Sequence, residues 1–149
     1  MNDFTIQQAT LNDIDALSLL FDAYRVFYKK ESDVEGAKQF LTDRMSRNES
    51  IVYICIKDGI VCGFTQLYPL FSSIRMKRLW LLNDLFVAPE YRGHGMSVAL
   101  IDEAKKLAVE TGACGVSLET DKGNLIGNTL YVKTQFELDE DHNYYFFTT

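Results

Sequence analysis

The sequence predicts an α/β protein with about seven strands and four helices, in the order β-α-α-β-β-β-α-β-α-β-β. Three observations lead to this prediction. Apolar residues alternate in short segments and recur at helical spacing in longer ones. The pair Asp58-Gly59 separates two apolar segments and is a strong signal for a tight hairpin. Residues 79–120 read as a strand, a glycine-containing turn, a helix and a strand, which indicates a βαβ crossover with two parallel strands.

The first part of the chain predicts one strand and two helices. Residues 4–9 alternate as a strand. Asn12 and Asp15 fit the N-cap and the third position of a first helix. The apolar face of that helix consists of Ile14, Leu17, Leu20, Phe21 and Tyr24. Residues 32–35 form a capping box that begins a second helix.

The middle of the chain predicts three strands. Residues 51–56 and 60–68 form a hairpin around Asp58-Gly59. Residues 69–78 contain a proline, two serines and three basic residues, so we expect an exposed connection there. Residues 79–87 form the next strand.

The last part of the chain predicts two helices and three strands. A helix over 96–111 ends before Gly112, which suits a helix C-terminus. Residues 116–120 form a strand and residues 124–133 a short helix. Strands over 136–138 and 144–147 close the chain as a hairpin.

Size and composition indicate one globular domain over residues 1–149. Hydrophobic residues make up 47% of the chain and charged residues 24%. The net charge of −6 argues against a nucleic-acid partner, because such proteins usually present a basic face. No apolar segment reaches the roughly 20 residues of a membrane span, and the N-terminus lacks the features of a signal peptide. We therefore expect a cytoplasmic protein with no membrane partner.

The cysteine and histidine residues do not suggest a metal centre. Cys55, Cys62 and Cys114 lie among apolar residues that resemble strands, so we expect buried, reduced thiols. A metal site needs ligands at set spacings, and these are scattered. We expect no metal, and His94 and His142 have no catalytic partner visible in the sequence.

The turn after the fourth strand carries the clearest functional signal. The strand ends at Val87, Pro89 interrupts it, and a glycine-rich turn leads into a helix. Glycines allow a ligand to approach the backbone, and the first N–H groups of a helix favour anions. The residues that we expect to bind a phosphate group are Arg92, Gly93, His94, Gly95, Met96, Ser97 and Val98. The alternatives are a turn without a ligand and a dinucleotide fingerprint, which would need a small residue at position 98.

This element order and this turn resemble the GNAT superfamily of acetyl-CoA-dependent N-acetyltransferases. The family pattern has Arg or Gln, then Gly three residues later, then Gly or Ala two residues after that. Arg92 and Gly95 match it, and Ser97 departs from it but keeps a small side chain. A second family signature, an Asn followed by Leu-Tyr and Gly-Phe pairs, matches residues 124–136. It departs from the family at Gly127, where alanine is usual, and at Gln135, where glycine is usual. Residues 82–93 and 24–28 are most similar to small diamine and polyamine acetyltransferases.

The resemblance implies a mixed, mostly antiparallel sheet with helices on both faces, and acetyl-CoA as co-substrate. The fourth and fifth strands of the family separate, and the pantetheine arm of CoA lies between them. The residues that would bind this arm are Leu85, Phe86 and Val87, and the Leu85 amide could polarise the thioester carbonyl. Asn124 matches a residue that touches the CoA arm. Tyr131 matches the general acid that protonates the departing thiolate, although it could simply be a tyrosine between a helix and the sheet.

The resemblance leaves the general base open. Asn83 stands where related polyamine enzymes have a glutamate, and it could orient a water molecule. Asp84 should point to the other face of its strand unless a bulge changes its direction. Glu119, on the fifth strand, is a second candidate beside Asn83, but it could be a solvated carboxylate without a role. A water chain to bulk solvent is a further alternative.

The expected acceptor is a small primary amine that attacks the thioester directly in a ternary complex. Tyr24 and Tyr28 lie four residues apart on one helical face and could form an aromatic wall for a cation, with Asp84 beside them. The alternative is that they are core residues. The alternatives in function are acetylation of a lysine side chain or a protein N-terminus, and a CoA-binding sensor without turnover. The aromatic residues 144–147 favour a homodimer.

Overall fold

Five strands make one mixed sheet in the computed structural model of the chain, which describes residues 3–149. In chain order they are β1 (Thr5–Gln8), β2 (Ile51–Lys57), β3 (Ile60–Ser72), β4 (Lys77–Val87) and β5 (Val116–Ser117). They follow one another across the sheet in the same order. The pairs β1–β2, β2–β3 and β3–β4 are antiparallel, and β5 is parallel to β4. The expectation of a mixed, mostly antiparallel sheet is therefore confirmed.

Four α-helices accompany the strands in this part of the chain. They are α1 (Ile14–Phe27), α2 (Val34–Ser46), α3 (Met96–Glu110) and α4 (Leu125–Lys133). The chain divides into two compact units, and the division falls between Glu119 and Thr120. The first unit contains the sheet and α1 to α3, and the second unit contains α4. None of the helices described has both the length and the apolar character needed to cross a bilayer.

The prediction of seven strands is wrong for the described residues. Residues 136–138 and 144–147 do not form strands, so the order of elements ends with α4. A hairpin that lacks a packing partner gains too little to persist in water. The aromatic side chains of residues 144–147 are 77–92% exposed. Asp139 organises a local turn in this segment, where its carboxylate accepts from the N–H groups of Asp141 and His142.

The hairpin of β3 and β4 is longer than the sequence predicts. β3 continues to Ser72 and β4 begins at Lys77, so most of the expected connection over 69–78 is strand. Phe71 pairs with Arg78 across the ladder, and the guanidinium of Arg78 lies 5.1 Å from the centre of the Phe71 ring. This contact between a cation and an aromatic ring stabilises the extension. β5, in contrast, ends at Ser117 rather than at residue 120, because only Trp80 and Leu81 of β4 pair with it.

The two N-terminal helices begin at local capping groups. Thr10, rather than Asn12, caps a short 3-10 turn that leads into α1, and its Oγ1 accepts from the Asn12 N–H at 3.2 Å. The Asp13 carboxylate accepts from the Thr10 N–H at 2.8 Å, which completes a capping box. Asp33 caps α2 from within the predicted box, since its Oδ1 accepts from the Gly36 N–H at 2.9 Å.

Alternate residues of β2 pack on opposite faces of the sheet. Val52 and Ile54 belong to the core shared with α1 and α2. Tyr53 lies on the other face, where burial and then the carboxylates of Glu103 and Glu110 on α3 raise the pKa of its hydroxyl. Helices therefore cover both faces of the sheet, as the resemblance implied.

Candidate active site

The turn between β4 and α3 depends on two glycines in the left-handed region. Gly93 has a φ of 83° and Gly95 a φ of 81°, which other residues adopt only with strain. A Cβ atom at either glycine would meet no protein atom within 4 Å. The surface of this turn is therefore open to a ligand.

The first turn of α3 presents N–H groups that have no capping partner. The first hydrogen bond of the helix joins the Ala99 N–H to the Gly95 carbonyl at 3.1 Å. The N–H groups of Met96, Ser97 and Val98 precede this bond, and no side chain caps the helix at Gly95. Unpaired N–H groups at a helix start attract negative charge. This arrangement fits a phosphate group at the turn.

β4 and β5 separate beside this turn. Their ladder consists of the pairs Trp80–Val116 and Leu81–Ser117, whereas β4 continues to Val87. Within the described chain, no strand pairs with this edge of β4 beyond Leu81. An extended ligand can hydrogen-bond to such an edge as an additional strand would. Leu85, Phe86 and Val87, the residues expected to bind the pantetheine arm, lie on this stretch.

The side chain of Arg92 is directed toward the end of β4. Its Nε donates to the Val87 carbonyl at 2.9 Å. Its guanidinium lies 5.2 Å from the ring centre of Phe27 and 5.5 Å from that of Phe86. Arg92 therefore ties the glycine turn to β4 and to α1, which the sequence did not reveal. Its contact with a phosphate group stays a prediction.

A bulge in β4 places the side chains of Asn83 and Asp84 together. Gln66 pairs with Asp84 while the next residue, Leu67, pairs with Leu82, so Asn83 is an extra residue in β4. The amide nitrogen of Asn83 lies 3.2 Å from both carboxylate oxygens of Asp84. The bulge that would change the direction of the Asp84 side chain is therefore present in β4.

Asp84 is a buried carboxylate whose hydrogen-bond donors are uncharged. It is 6% exposed, and the Gln66 amide nitrogen donates to its Oδ2 at 2.9 Å. The Thr65 hydroxyl donates to its main-chain carbonyl at 2.8 Å. No ion pair within residues 3–149 includes Asp84. Buried charges in proteins are usually paired, so this position suits a cationic ligand.

Tyr68 forms a polar cluster with Gln66 and Asp84 and was not identified from the sequence. Burial and then the negative charge of Asp84 raise the pKa of the Tyr68 hydroxyl to about 12, while Arg44 and a hydrogen bond with Gln66 act against this shift. Period-two alternation puts Gln66 and Tyr68 on one face of β3, which was the available signal. Their proximity to Asp84 depends on the register of β4, which no local pattern shows.

Tyr24 and Tyr28 occupy different environments. The Tyr24 ring is half-buried and lies 5.5 Å from the ring of Phe64 and 5.6 Å from that of Phe86. Tyr28 is 52% exposed, and its ring lies 5.1 Å from the Tyr24 ring. Tyr24 thus borders the core, as one of the two alternatives stated, and Tyr28 extends the aromatic surface outward.

Within the described residues, Glu119 and Asn83 form no hydrogen bond with each other. It is exposed and lies two residues beyond the end of β5. Its participation as a base stays a prediction. Across residues 3–149, no three His, Cys, Asp or Glu side chains are grouped so that they could hold a metal ion.

Asn124, in the second unit, caps α4. Its Oδ1 accepts from the Gly127 N–H at 3.1 Å, and its amide nitrogen donates to the Thr120 hydroxyl at 2.9 Å. A Cβ atom at position 127 would collide with the side chain of Asn124. The side chain of Asn124 thus lies where the methyl group of an alanine at position 127 would be. The expected contact of Asn124 with CoA stays a prediction.

Tyr131 lies near the end of α4 in a Schellman motif. The Phe136 N–H donates to the Tyr131 carbonyl at 2.9 Å, and the two rings are 5.9 Å apart. The residue directly before Phe136 is Gln135, whose φ of 73° explains why glycine is usual there. The motif sets the position of the Tyr131 backbone within its unit.

Comparison with known proteins agrees with this geometry. Residues 15–136 match the family described as Acetyltransferase (GNAT), a span that covers most of the chain. An uncharacterized N-acetyltransferase of Bacillus subtilis (strain 168), YhfO, is 41% identical over 140 residues, which is 94% of each chain. The crystal structure of a probable acetyltransferase is 37% identical with a TM-score of 0.93, and the match covers 97% of both chains.

More distant structures share the fold alone. An aminoglycoside acetyltransferase from a soil metagenomic sample has 18% identity and a TM-score of 0.86, over 99% of this chain and 97% of that chain. A predicted acetyltransferase of Clostridium acetobutylicum, in a structure with acetyl-CoA, has 14% identity and a TM-score of 0.78 over 95% of both chains. The family match and the two proteins that are 41% and 37% identical show more than a shared fold. The chain belongs to the acetyltransferase (GNAT) family and is an enzyme of the acyltransferase class.

Proposed function

We propose that the protein transfers an acetyl group from acetyl-CoA to a primary amine, and that the acceptor is a small cationic amine of the polyamine type. The observation that carries the proposal is the opening beside β4. This opening contains the first turn of α3, which no side chain caps, and the edge of β4 beyond Leu81, with which β5 does not pair. One end of this opening suits a pyrophosphate and the other an extended chain of amides.

The donor end of the proposal uses main-chain groups. The N–H groups from Gly93 to Val98 would bind the pyrophosphate, and residues 85–87 would bind the pantetheine arm. Acetyl-CoA supplies the acetyl group as a thioester. The Leu85 amide would polarise the thioester carbonyl, and Asn124 would touch the arm. Tyr131 would protonate the departing thiolate.

The acceptor amine would bind to side chains, namely the Asp84 carboxylate of β4 and the aromatic rings of Tyr24 and Tyr28. The carboxylate of Asp84 has no cationic partner in the described residues, and the aromatic surface of Tyr24 and Tyr28 can face an ammonium group. A solvated amine has a pKa of about 10.4, so it arrives charged and must lose a proton before it attacks. A carboxylate at this position attracts the cation.

We propose that Asn83 and Glu119 line the route of that proton, with the Glu119 carboxylate as its acceptor; Asp84 lies beside Asn83. Asn83 can orient a water molecule but cannot accept a proton. We expect alanine at Asn83 and at Glu119 to lower kcat more than it weakens acetyl-CoA binding. Unchanged kcat in both variants would remove these two residues from the mechanism.

Thiol release from acetyl-CoA across an amine panel tests the function. The panel contains spermidine, lysine, thialysine, an aminoglycoside and a histone-tail peptide. We expect release with small polyamines or related cations. Release with the peptide alone would favour a protein acetyltransferase. Stabilisation by acetyl-CoA without release on any amine would favour a sensor.

A pair of glycine variants tests the donor site. Gly95 and Gly112 both have positive φ, and Gly112 lies at the other end of α3. Gly95→Ala and Gly112→Ala should lose similar stability, about 1–2 kcal/mol each. Only Gly95→Ala should weaken acetyl-CoA binding, by about tenfold or more, because its methyl group enters the anion site. Equal affinities in the two variants would contradict the assignment.

We also propose a cytoplasmic homodimer. The free thiols Cys55, Cys62 and Cys114 support a reducing compartment. The exposed aromatic residues 144–147 support a second copy as the partner. Light scattering coupled to size-exclusion chromatography should give twice the chain mass, and alanine at Tyr145 and Phe146 should return it to that of one chain.

A further inference from the structure

A cavity of about 600 Å³ lies at the end of the sheet opposite the glycine turn. This volume is in the range of small-molecule sites. Its wall crosses four strands, with Gln8 from β1, Ile51 from β2, Pro69 from β3 and Trp80 from β4. All of these residues belong to the first unit of the chain.

α3 is shorter than the hairpin of β3 and β4 that it covers. α3 has 15 residues, whereas β3 has 13 and β4 has 11. A helix rises about 1.5 Å per residue and a strand about 3.3 Å, so the strands extend past the helix. Thr111, directly after α3, lines the cavity and accepts a hydrogen bond from the Trp80 indole at 2.9 Å. This bond holds the indole in the wall.

Among the described residues that line the cavity, Arg78 alone carries a formal charge. Its guanidinium lies 5.2 Å from the centre of the Trp80 ring. No ion pair within residues 3–149 includes Arg78. A guanidinium that rests on aromatic faces keeps its N–H edge for a carboxylate or phosphate group.

Ser50 supplies a second polar group, which is independent of Arg78. Ser50 lines the cavity and is 7% exposed, and its hydroxyl has no hydrogen-bond partner in the described part of the chain. A buried hydroxyl without a partner is unfavourable. It can turn toward a ligand without breaking an existing hydrogen bond.

We propose that this cavity binds a small organic anion. The acidic group pairs with Arg78 and hydrogen-bonds to Ser50, and the apolar part of the ligand lies against Trp80, Ile51 and Pro69. The acidic group is a carboxylate or a phosphate, since both offer oxygens to a guanidinium fork. The site is separate from the proposed acetyl-transfer site, because Arg78 lies near the start of β4 and the glycine turn follows its end.

Fluorescence provides a direct test, because Trp80 is the only tryptophan in the chain. The full-length protein is titrated with sodium benzoate, sodium acetate and inorganic phosphate, with sodium chloride at matched ionic strength as reference. Benzoate offers a carboxylate and a ring, acetate a carboxylate alone, and phosphate the alternative anion. We expect a saturable change with benzoate or phosphate beyond that with chloride, and calorimetry should give the same affinity. No saturable change with any probe would overturn the proposal.

Paired charge variants locate the binding. Arg78→Gln should weaken binding by about tenfold or more, because the bidentate donor is lost. Lys77→Gln removes the same charge from an exposed neighbour outside the cavity and should change affinity by less than about twofold. Ser50→Ala should weaken binding by about threefold. If Arg78→Gln is poorly folded, Arg78→Lys should weaken binding similarly, since lysine lacks the planar fork. Wild-type affinity in both Arg78 variants would refute the site.

Discussion

The side chains of Gln66 and Asp84 are joined across the ladder of β3 and β4, with 2.9 Å between the Gln66 amide nitrogen and Asp84 Oδ2. Both residues are buried, at 0% and 6% exposure. The bulge at Asn83 makes this contact possible and adds a second amide to the same carboxylate. A negative charge held by neutral donors is thereby presented where we propose that the acceptor amine binds.

Asp84→Asn should impair the reaction with a cationic amine and leave donor binding intact. The amide keeps an oxygen for Gln66 but loses the charge that attracts the ammonium group. We expect kcat/KM for the amine to fall by about 10²-fold, and the KM for acetyl-CoA to change by less than about twofold. Steady-state kinetics measure both values. Asp102→Asn, the same change at an exposed position of α3, is the control and should behave as the wild type.

Arg92→Lys should separate the two roles of this residue. Lysine keeps the charge but loses the hydrogen bond from Nε to the Val87 carbonyl and the planar contact with Phe27 and Phe86. We expect the free energy of unfolding to fall by about 1–2 kcal/mol in a urea titration. Acetyl-CoA affinity should fall by less than about threefold. A stable variant with strongly reduced affinity would show that the side chain serves the ligand instead.

Tyr68 should be among the last tyrosines to ionise as the pH rises. Its pKa is raised to about 12 by burial and by Asp84, so the folded protein favours the neutral phenol. The resulting stability is fully present below the unfolded pKa of about 10 and is lost as pH rises toward 12. Absorbance of tyrosinate near pH 10–12 measures this ionisation. Tyr68→Phe should remove the late step, and Tyr145→Phe, an exposed control at 91%, should not.

Gln135→Gly should stabilise the protein. Gln135 has a φ of 73° directly after the C-cap of α4, a conformation that glycine adopts without strain. We expect the free energy of unfolding to rise by about 1 kcal/mol. Gln135→Ala keeps the Cβ atom and should give no such gain. Thermal or urea unfolding measures both, and equal stability of the two variants would assign the effect to the glutamine side chain.

The parts of the fold that were predicted from the sequence depend on nearby residues. The glycine turn, the helix expected over 96–111 and the short helix expected over 124–133 each arise within a few positions of the chain. The hairpin at Asp58-Gly59 is confirmed for the same reason, with φ values of 50° and 77° at its two turn residues. Local backbone preferences therefore suffice for these elements.

The parts that were missed depend on partners that are distant in sequence. The extension of β3 and β4 over 69–78 requires Phe71 to meet Arg78, and the polar group of Gln66, Tyr68 and Asp84 requires the bulge at Asn83. The expected strands over 136–138 and 144–147 failed for the opposite reason. Their apolar and aromatic residues suit strands, but no strand within residues 3–149 pairs with them.

The separation of β4 from β5 has a consequence for how such an enzyme can diversify. On the proposed reaction, peptide groups common to every residue recognise the acetyl donor, whereas the acceptor meets the side chains at positions 83 and 84. Point mutations exchange side chains and leave peptide groups in place. Preference for one amine over another can thus change by single substitutions at positions 83 and 84, while the main-chain groups that recognise the shared acetyl donor stay in place.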